Sequence, residues 1–247
     1  MTDTTSSTRA TGLPRDSVST FSEQVRRQGF VVMRRPELAG LIGAADLEEV
    51  RGAFENMPLD TQVHGVDVVR ERRYGRLRIR VDGAHVSFEV LPNAVFRQDA
   101  IPLWKGKDRV FAPVAEEVLL SPGMRALAGF DALMATALDG HTVWHGGVHL
   151  VRVIARSGAD GLPTPEGRHR DGHSFVGLHL MRREGVAGGL STVHPNDGSD
   201  KVSTTLLDPL DSMFIDDNAV THEVSPIVPE GAYGVRDMLM VDFNPMD

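Results

Sequence analysis

The chain has 247 residues, of which 41% are hydrophobic and 24% are charged, and its formal net charge is −8. This balance is typical of a globular protein and excludes wholesale disorder, while the negative charge disfavours a nonspecific nucleic-acid binder. No apolar run reaches the ~18–20 residues of a membrane span, and the polar start lacks a signal-peptide core, so we expect a cytoplasmic protein. Because the chain has no cysteine, any metal must be held by histidine and carboxylate.

The first half of the chain predicts a tail, then helices and alternating strands. Residues 1–16 are rich in Ser and Thr and predict a disordered tail, so that a single domain is expected over 17–247. The hydrophobic periodicity and the turn residues then define the elements. They are a strand at 29–33, a helix through Leu47, Val50 and Phe54 that Pro58 ends, strands at 76–81 and 85–90, and a helix that starts with Ser121 as N-cap and Pro122 in the first turn.

The second half reads as a succession of short strands separated by Gly, Asn and Asp turns. Helices followed by strands predict an α+β fold, in which helices mainly from the N-terminal half flank a double-sheet β barrel or jelly roll. The predicted strands are 148–154, 175–181, 189–194, 212–215, 220–224 and 237–243.

The chemistry of the sequence concentrates around one His-x-Asp pair. His169 and Asp171 precede the strand that begins near Phe175, and in extended backbone their side chains project to the same face. His222 lies about fifty residues later in a second alternating strand. Two histidines and one carboxylate form the facial set that binds Fe(II) and leaves positions open for a bidentate co-substrate and O₂. The pair alone is a weak signal, since His169 and Asp171 could simply form a turn.

An arginine after the distal histidine strengthens the interpretation. Arg236 opens the last apolar strand, where a lone guanidinium needs a carboxylate partner. A guanidinium fork suits the distal carboxylate of 2-oxoglutarate. A surface salt bridge with Asp237 or Glu230 is the alternative, and Arg182 and Arg183 are rival anchors.

Other histidines remain open as ligands or as structural residues. His173 and His179 share the strand phase of His169, so periodicity alone does not exclude them as ligands. A turn or rim role is favoured for His173 if the strand starts after Gly172, and neither histidine is favoured as an iron ligand. The remaining candidates are read as loop, strand-end or pocket residues, and they are His141, His145, His149 and His194.

Several motifs in one order resemble the bacterial 2-oxoglutarate–Fe(II) dioxygenase family of free-amino-acid hydroxylases, the isoleucine-hydroxylase-like enzymes. The resemblance covers roughly residues 70–243. The motifs are Arg72-Arg-Tyr-Gly75, Phe96-Arg-Gln98, Arg109-Val-Phe-Ala-Pro113, Pro163-Thr-Pro-Glu-Gly-Arg-His169-Arg-Asp171-Gly172, Gly188-Gly-Leu-Ser-Thr192, Asp216, His222-Glu-Val-Ser-Pro-Ile227 and Arg236-Asp-Met-Leu239.

The resemblance implies a double-stranded β-helix, a cupin-like jelly roll, with His169, Asp171 and His222 as the iron ligands. It implies Arg236 as the 2-oxoglutarate anchor, with O₂ as the second co-substrate. Relatives that chlorinate carry a small residue in place of the carboxylate ligand, so Asp171 favours hydroxylation. The implied reaction hydroxylates an unactivated C–H bond of a small molecule, a free L-amino acid, and releases succinate and CO₂.

Two arginines are candidates for substrate binding. Within the cluster Arg70–Arg80 we assign Arg73 to the α-carboxylate of an amino acid and leave the rest on a solvated strand face. Arg152 lies in an apolar strand, so it is either in the site or paired with a buried carboxylate such as Glu166. The alternative functions are a non-catalytic metal- or sugar-binding β barrel and a nucleic-acid-directed oxygenase that uses the arginine stripe. We expect neither a nucleic-acid nor a membrane partner, and the sequence leaves the oligomeric state open.

Overall fold

The structure is a computed structural model that describes residues 6–9, 15–38, 40–62 and 69–246. The predicted disordered tail over 1–16 lies largely outside these ranges and stays a prediction. Inside them, Ser6–Arg9 pairs with a later strand and a helix begins at Arg15. None of the helices in these ranges is long and apolar enough to cross a membrane.

The helices come from the first 140 residues, as predicted. In the longest one the Ser121 side chain accepts a hydrogen bond from the backbone N–H of Met124, Pro122 stands in the first turn, and Gly140, with φ 94°, ends the helix. The prediction of this helix from its cap residues is confirmed. The helices are α1 (Arg15–Gln28), α2 (Arg35–Leu38), α3 (Ala44–Gly52), α4 (Glu116–Leu119) and α5 (Pro122–Asp139).

The strands follow the predicted order but extend further than the apolar runs. The strand predicted at 220–224 has those bounds, whereas the one predicted at 148–154 extends in both directions. The strands are β1 (Ser6–Arg9), β2 (Phe30–Met33), β3 (Val69–Asp82), β4 (His85–Leu91), β5 (Ala112–Pro113), β6 (Val143–Arg156), β7 (Phe175–Glu184), β8 (Val186–Gly188), β9 (Leu190–Pro195), β10 (Val202–Thr205), β11 (Ser212–Asp216), β12 (Val220–Val224), β13 (Ile227–Pro229) and β14 (Tyr233–Pro245).

One large sheet dominates the molecule. It has nine strands in the order β1-β4-β3-β6-β14-β7-β11-β2, and β5 pairs in parallel with β3. All other neighbours are antiparallel, and β14 lies at the centre between β6 and β7. A smaller sheet has the order β10-β9-β12, and β8 pairs with β13.

The large sheet is covered on both faces. Helix α5 packs against β3, β4, β7 and β14, and the core on this side includes Leu77, Phe130 and Trp144. On the other face Phe30 and Ile215 of the large sheet pack with Val193 and Val220 of the smaller one. Two sheets facing each other with helices outside form the predicted double-stranded β-helix, and the fold prediction is confirmed.

Strand β3 presents one row of residues to each face. Leu77 and Ile79 are fully buried on the helix side, while Arg80 in the alternate row is exposed. Followed toward the start of the strand, the alternate row leaves the solvent and enters the barrel, where Arg70 and Arg72 are buried. Residues of the same row of β3 therefore lie at the protein surface at one end of the strand and in the barrel interior at the other.

Candidate metal centre and its cavity

Two histidines and an aspartate meet in the cavity between the two sheets. His169 and Asp171 lie in the segment that leads into β7, and His222 lies in the middle of β12. The backbones of His169 and His222 exchange hydrogen bonds of 3.0 and 2.9 Å, which hold the two residues side by side. One ligand atom from each of the three residues lies within 4.8 Å of the others. The structure thus brings together the three residues predicted as metal ligands.

The hydrogen bonds around these side chains leave metal-binding atoms available. Nδ1 of His169 donates to the carbonyl oxygen of Gly167 at 2.8 Å, so Nε2 is left for a metal, 3.5 Å from Oδ1 of Asp171. Nε2 of His222 lies 3.5 Å from Oδ2 of Asp171, and this oxygen is buried without a hydrogen-bond partner. An orphaned buried carboxylate oxygen between two imidazoles fits a divalent cation, and this donor set suits non-haem iron.

Burial and mutual charge set the protonation of the cluster. Burial disfavours protonated His169, but Asp171 and Glu166 outweigh burial and raise the pKa of His169 to about 9. Burial acts to raise the pKa of Asp171, yet the two histidines hold that pKa well below its usual range. Burial lowers the pKa of His222 to about 4. At neutral pH one proton on His169 therefore balances the carboxylate, and a bound metal ion would replace that proton.

Two neighbouring side chains position Asp171. The carboxylate of Asp217 accepts the backbone N–H groups of Asp171, Gly172 and His173 at 3.0, 2.7 and 3.1 Å, which fixes the turn that carries the ligand. Nε2 of Gln98 donates to Oδ1 of Asp171 at 3.1 Å. The second oxygen of the aspartate stays free because these contacts hold only the backbone and the first oxygen.

Arg236 enters the same cavity from β14. Its side chain is buried, and its Nε has no hydrogen-bond partner. Burial, with a smaller effect from the nearby charge of Arg183, lowers the pKa of Arg236 to about 10, and no acidic side chain opposes this shift. A buried guanidinium without a carboxylate of its own is costly and fits an anionic ligand. The alternative pairing with Asp237 or Glu230 is not observed among the described residues.

The two arginines predicted to bind substrate lie elsewhere. Arg73 is in the helix-facing row of β3 and donates to the carbonyl oxygens of Pro113 and Asn56 at 3.1 and 3.3 Å. Arg152 also faces the helices, and its partner is Asp237, at 2.7 and 2.9 Å, rather than Glu166. Neither arginine lines the cavity, so the structure does not support these two assignments.

Other predicted candidates also stay outside the cluster. His173 bonds to Asn244 at 2.8 Å, and His179 is fully buried between Ser212 and Asp131. Of the rival anchors, Arg182 binds Glu55 at the surface, while Arg183 lies near Arg236 and donates to the Gly188 carbonyl oxygen. Of these three arginines, only Arg236 lines the cavity.

The polar residues of the cavity wall that the sequence analysis did not assign to the site include Arg72, Gln98 and Arg109. Arg72 could have been found from strand phase, since it lies in the row of Arg76 and Arg80 rather than in that of Leu77. Gln98 and Arg109 were noted only as parts of family-like motifs. They lie in an irregular segment between β4 and β5, where no periodicity predicts which way a side chain points.

Solved structures resemble this chain over most of its length. A bsmA homolog from Methylobium petroleophilum PM1 is 27% identical, with a TM-score of 0.82 over 92% of this chain and 93% of that chain. IDO from Bacillus thuringiensis is 20% identical, with a TM-score of 0.76 over 95% and 98%. TqaL, an Fe(II)/α-ketoglutarate-dependent dioxygenase, is 17% identical, with a TM-score of 0.71 over 93% and 87%. At these identities the last two show the fold alone.

No curated protein matches the chain significantly. The family described as 2OG-Fe dioxygenase matches residues 51–242, which include all three predicted metal ligands and Arg236. This match covers well over half of the sequence and coincides with the double-stranded β-helix. The chain therefore belongs to the 2OG-Fe dioxygenase family.

Proposed function

We propose that this protein hydroxylates an unactivated C–H bond of a free L-amino acid, with Fe(II) and 2-oxoglutarate as cofactor and co-substrate. The observation that carries the proposal is that one cavity contains both a set of potential metal ligands and a buried guanidinium that has no carboxylate partner. His169, Asp171 and His222 would hold the iron, and Arg236 would bind the distal carboxylate of 2-oxoglutarate. Family membership supports both the metal and the co-substrate.

The chemistry that a bound Fe(II) and 2-oxoglutarate would supply is oxidative decarboxylation by O₂, coupled to hydroxylation of the substrate. The side chains of this protein would bind the metal and the co-substrate and orient them. His169 presents Nε2 because Gly167 takes its Nδ1 proton, and Asp171 presents Oδ2 because Gln98 occupies Oδ1. In the resemblance described above, relatives that chlorinate carry a small residue in place of this ligand, so the carboxylate of Asp171 favours hydroxylation over halogenation.

The lining of the cavity favours a small substrate that carries both a positive and a negative charge. Its walls combine the apolar side chains of Val151, Leu178 and Met240 with the carboxylate of Glu166 and with guanidiniums. Oε2 of Glu166 is buried without a hydrogen-bond partner and is suited to an ammonium group. A nucleic-acid substrate is disfavoured because the stripe Arg70–Arg80 is not a continuous surface: its first members are buried inside the barrel.

The test is an anaerobic titration of apoprotein with Fe(II) and 2-oxoglutarate, followed by O₂ and each of the standard L-amino acids. We expect the weak visible charge-transfer band of the chelate, and succinate release that depends on one or a few amino acids. The variants His169→Ala and Asp171→Ala should lose both signals, whereas Arg78→Met, on the exposed part of β3, should keep both. A metal-binding barrel without the band, or full activity in His169→Ala, would contradict the proposal.

A further inference from the structure

A second pair of arginines in the cavity has no carboxylate in direct contact. Arg72, on β3, and Arg109, in the segment before β5, both line the cavity and are buried, with 6% and 1% of their surface exposed. The ion pairs formed within the described ranges include neither of them. Arg72 lies on β3, which β6 separates from β14 and Arg236.

Aromatic rings and neutral acceptors hold both guanidiniums in place. The Arg72 guanidinium lies 4.3 Å from the centre of the Phe111 ring, and it donates to Nδ1 of His149 at 2.8 Å. The Arg109 guanidinium lies 4.4 Å from the centre of the Trp104 ring, and it donates to the amide oxygen of Gln98. These contacts fix position and orientation but supply no negative charge. The Nε atoms of both arginines are buried without an acceptor.

The neighbouring Arg70 provides an internal comparison. It lies on the same row of β3 and is buried to a similar degree, but it donates twice to the buried carboxylate of Asp60, at 2.9 and 2.7 Å. One of the three cavity arginines on this wall is thus neutralised by the protein itself. Burial lowers the pKa of Arg72 to about 9 and that of Arg109 to about 10, which expresses the cost of the other two charges.

We propose that Arg72 and Arg109 bind the carboxylate of the substrate, so that the enzyme acts only on molecules with a free acid group. The inference rests on the proposed function and deepens it. Under the proposed function the co-substrate would leave no group for this pair, because one carboxylate of 2-oxoglutarate would bind the metal and the other would bind Arg236. Arg72 and Arg236 lie on the same sheet, but β6 separates their strands. The anion that neutralises the guanidiniums of Arg72 and Arg109 would therefore be the substrate's own.

Gln98 ties this subsite to the metal centre. Its amide oxygen accepts from Arg109, so its amide nitrogen faces Asp171 and donates to Oδ1. One side chain thus fixes the distance between the acid-binding arginine and the metal ligand. The acid group of a bound substrate is held at a set distance from the place where the C–H bond must lie, and this favours one carbon over its neighbours.

The first experiment compares acids with their primary amides, which keep the shape and lose the charge. To the anaerobic Fe(II)–2-oxoglutarate complex of the wild type we would add each standard L-amino acid or its amide, and measure the shift in Tm and, after O₂, succinate release. We expect at least one acid to raise Tm and to release succinate at least 100-fold more efficiently than its amide. If no acid binds in preference to its amide, the inference is overturned.

The second experiment uses Arg72→Met and Arg109→Met, with Arg78→Met as the matched control on the exposed part of β3. Both cavity variants should keep the chelate band but raise KM for the acid at least 100-fold and lose the preference for acid over amide. The control should match the wild type. Loss of the chelate band in the two variants would assign the pair to 2-oxoglutarate and overturn the inference.

Failure of the proposed function gives a different pattern. In that case no chelate band forms in the wild type. The comparison of Tm shifts between acids and amides then still decides whether the pair binds a carboxylate, because it requires no turnover.

Discussion

The two faces of the large sheet bury arginines in opposite ways. On the helix-facing side, Arg152 donates twice to the buried carboxylate of Asp237, and Glu71 lies 3.4 Å away. On the cavity-facing side, Arg72 and Arg109 have hydrogen-bond partners and ring contacts but form no ion pair, and Nε of the buried Arg236 has no hydrogen-bond partner.

Residue type and burial are the same on both faces, so neither distinguishes a structural arginine from a binding one. The distinguishing observation is whether the protein supplies the counter-charge. A buried ion pair with its partner present holds the fold together, and removing one member leaves the other charge uncompensated. A buried cation without a partner lowers the stability of the protein, and binding of an anionic ligand restores that stability.

The largest expected effect comes from removing the cavity cation of β14. Arg236→Met should weaken 2-oxoglutarate binding about 100-fold or more, because a buried charged hydrogen-bond pair is worth roughly 2–5 kcal/mol. The free energy of unfolding of the apoprotein should not fall, since no carboxylate loses a partner. Titration of the chelate band and urea denaturation measure the two quantities. A large loss of stability with unchanged binding would place Arg236 with the structural arginines.

Removing the helix-side cation should give the reverse result. Arg152→Met should lower the free energy of unfolding by about 3 kcal/mol, because Asp237 stays buried with its charge. The value is at the low end for a buried pair because Nε of Arg182 also lies 3.3 Å from Asp237. Urea denaturation measures the loss, and 2-oxoglutarate binding should be unchanged.

Two controls sharpen that prediction. Arg182→Met should cost less than about 1 kcal/mol, since Arg182 is more exposed and its other partner, Glu55, is mostly in solvent. Adding Asp237→Asn to Arg152→Met should recover part of the stability, because the amide leaves no charge to desolvate. If Arg152→Met is as stable as the wild type, the ion pair is not structural.

A further expected effect concerns pH, and it develops only over a range of pH values. Burial, helped by the charge of Arg72, lowers the pKa of His149 from 6.5 to about 4. The unfolded chain therefore binds this proton first as pH falls, so the contribution of His149 is present above pH 6.5 and is lost toward pH 4. The loss amounts to about 3 kcal/mol at full extent.

The variant His149→Gln should flatten the decline in apoprotein stability between pH 6.5 and pH 4. The exposed His85 supplies the control, since His85→Gln should leave the curve as in the wild type. Urea denaturation at a series of pH values measures the slopes. If stability depends on pH with the same slope in His149→Gln and in the wild type, His149 is not the neutral imidazole that accepts a hydrogen bond from Arg72.

The sequence allowed prediction of the fold and of the elements with local signals. Helix α5 begins where Ser121 and Pro122 indicate, because an N-cap and a first-turn proline act within a few residues. Strand β12 has its predicted bounds, because alternation and turns define it locally. His169, Asp171 and His222 were predicted to converge from spacing and family resemblance, and they lie together in the structure.

The charged partners could not be predicted in the same way. Arg152 meets Asp237 across two paired strands, and Arg70 meets Asp60, ten residues earlier in the chain, so their pairing does not depend on a local pattern. Arg73 was chosen over Arg72 from a motif, although the strand phase already separated the two. Asp217 was missed because its role is to accept backbone N–H groups from a distant turn.

Strand β3 couples the cavity to the core in a way that limits how this protein can evolve. Its two rows are continuous over the whole strand, because its pairing with β6 runs without a register shift from Val69 to Arg80. A shift of the whole strand by one residue against β6 would exchange the rows, sending Arg72 toward the helices and Leu77 away from them. New substrate preferences can therefore arise on this wall by substitution at single positions. Changes that shift the register of the strand would instead prevent folding, and selection would remove them before they could alter specificity.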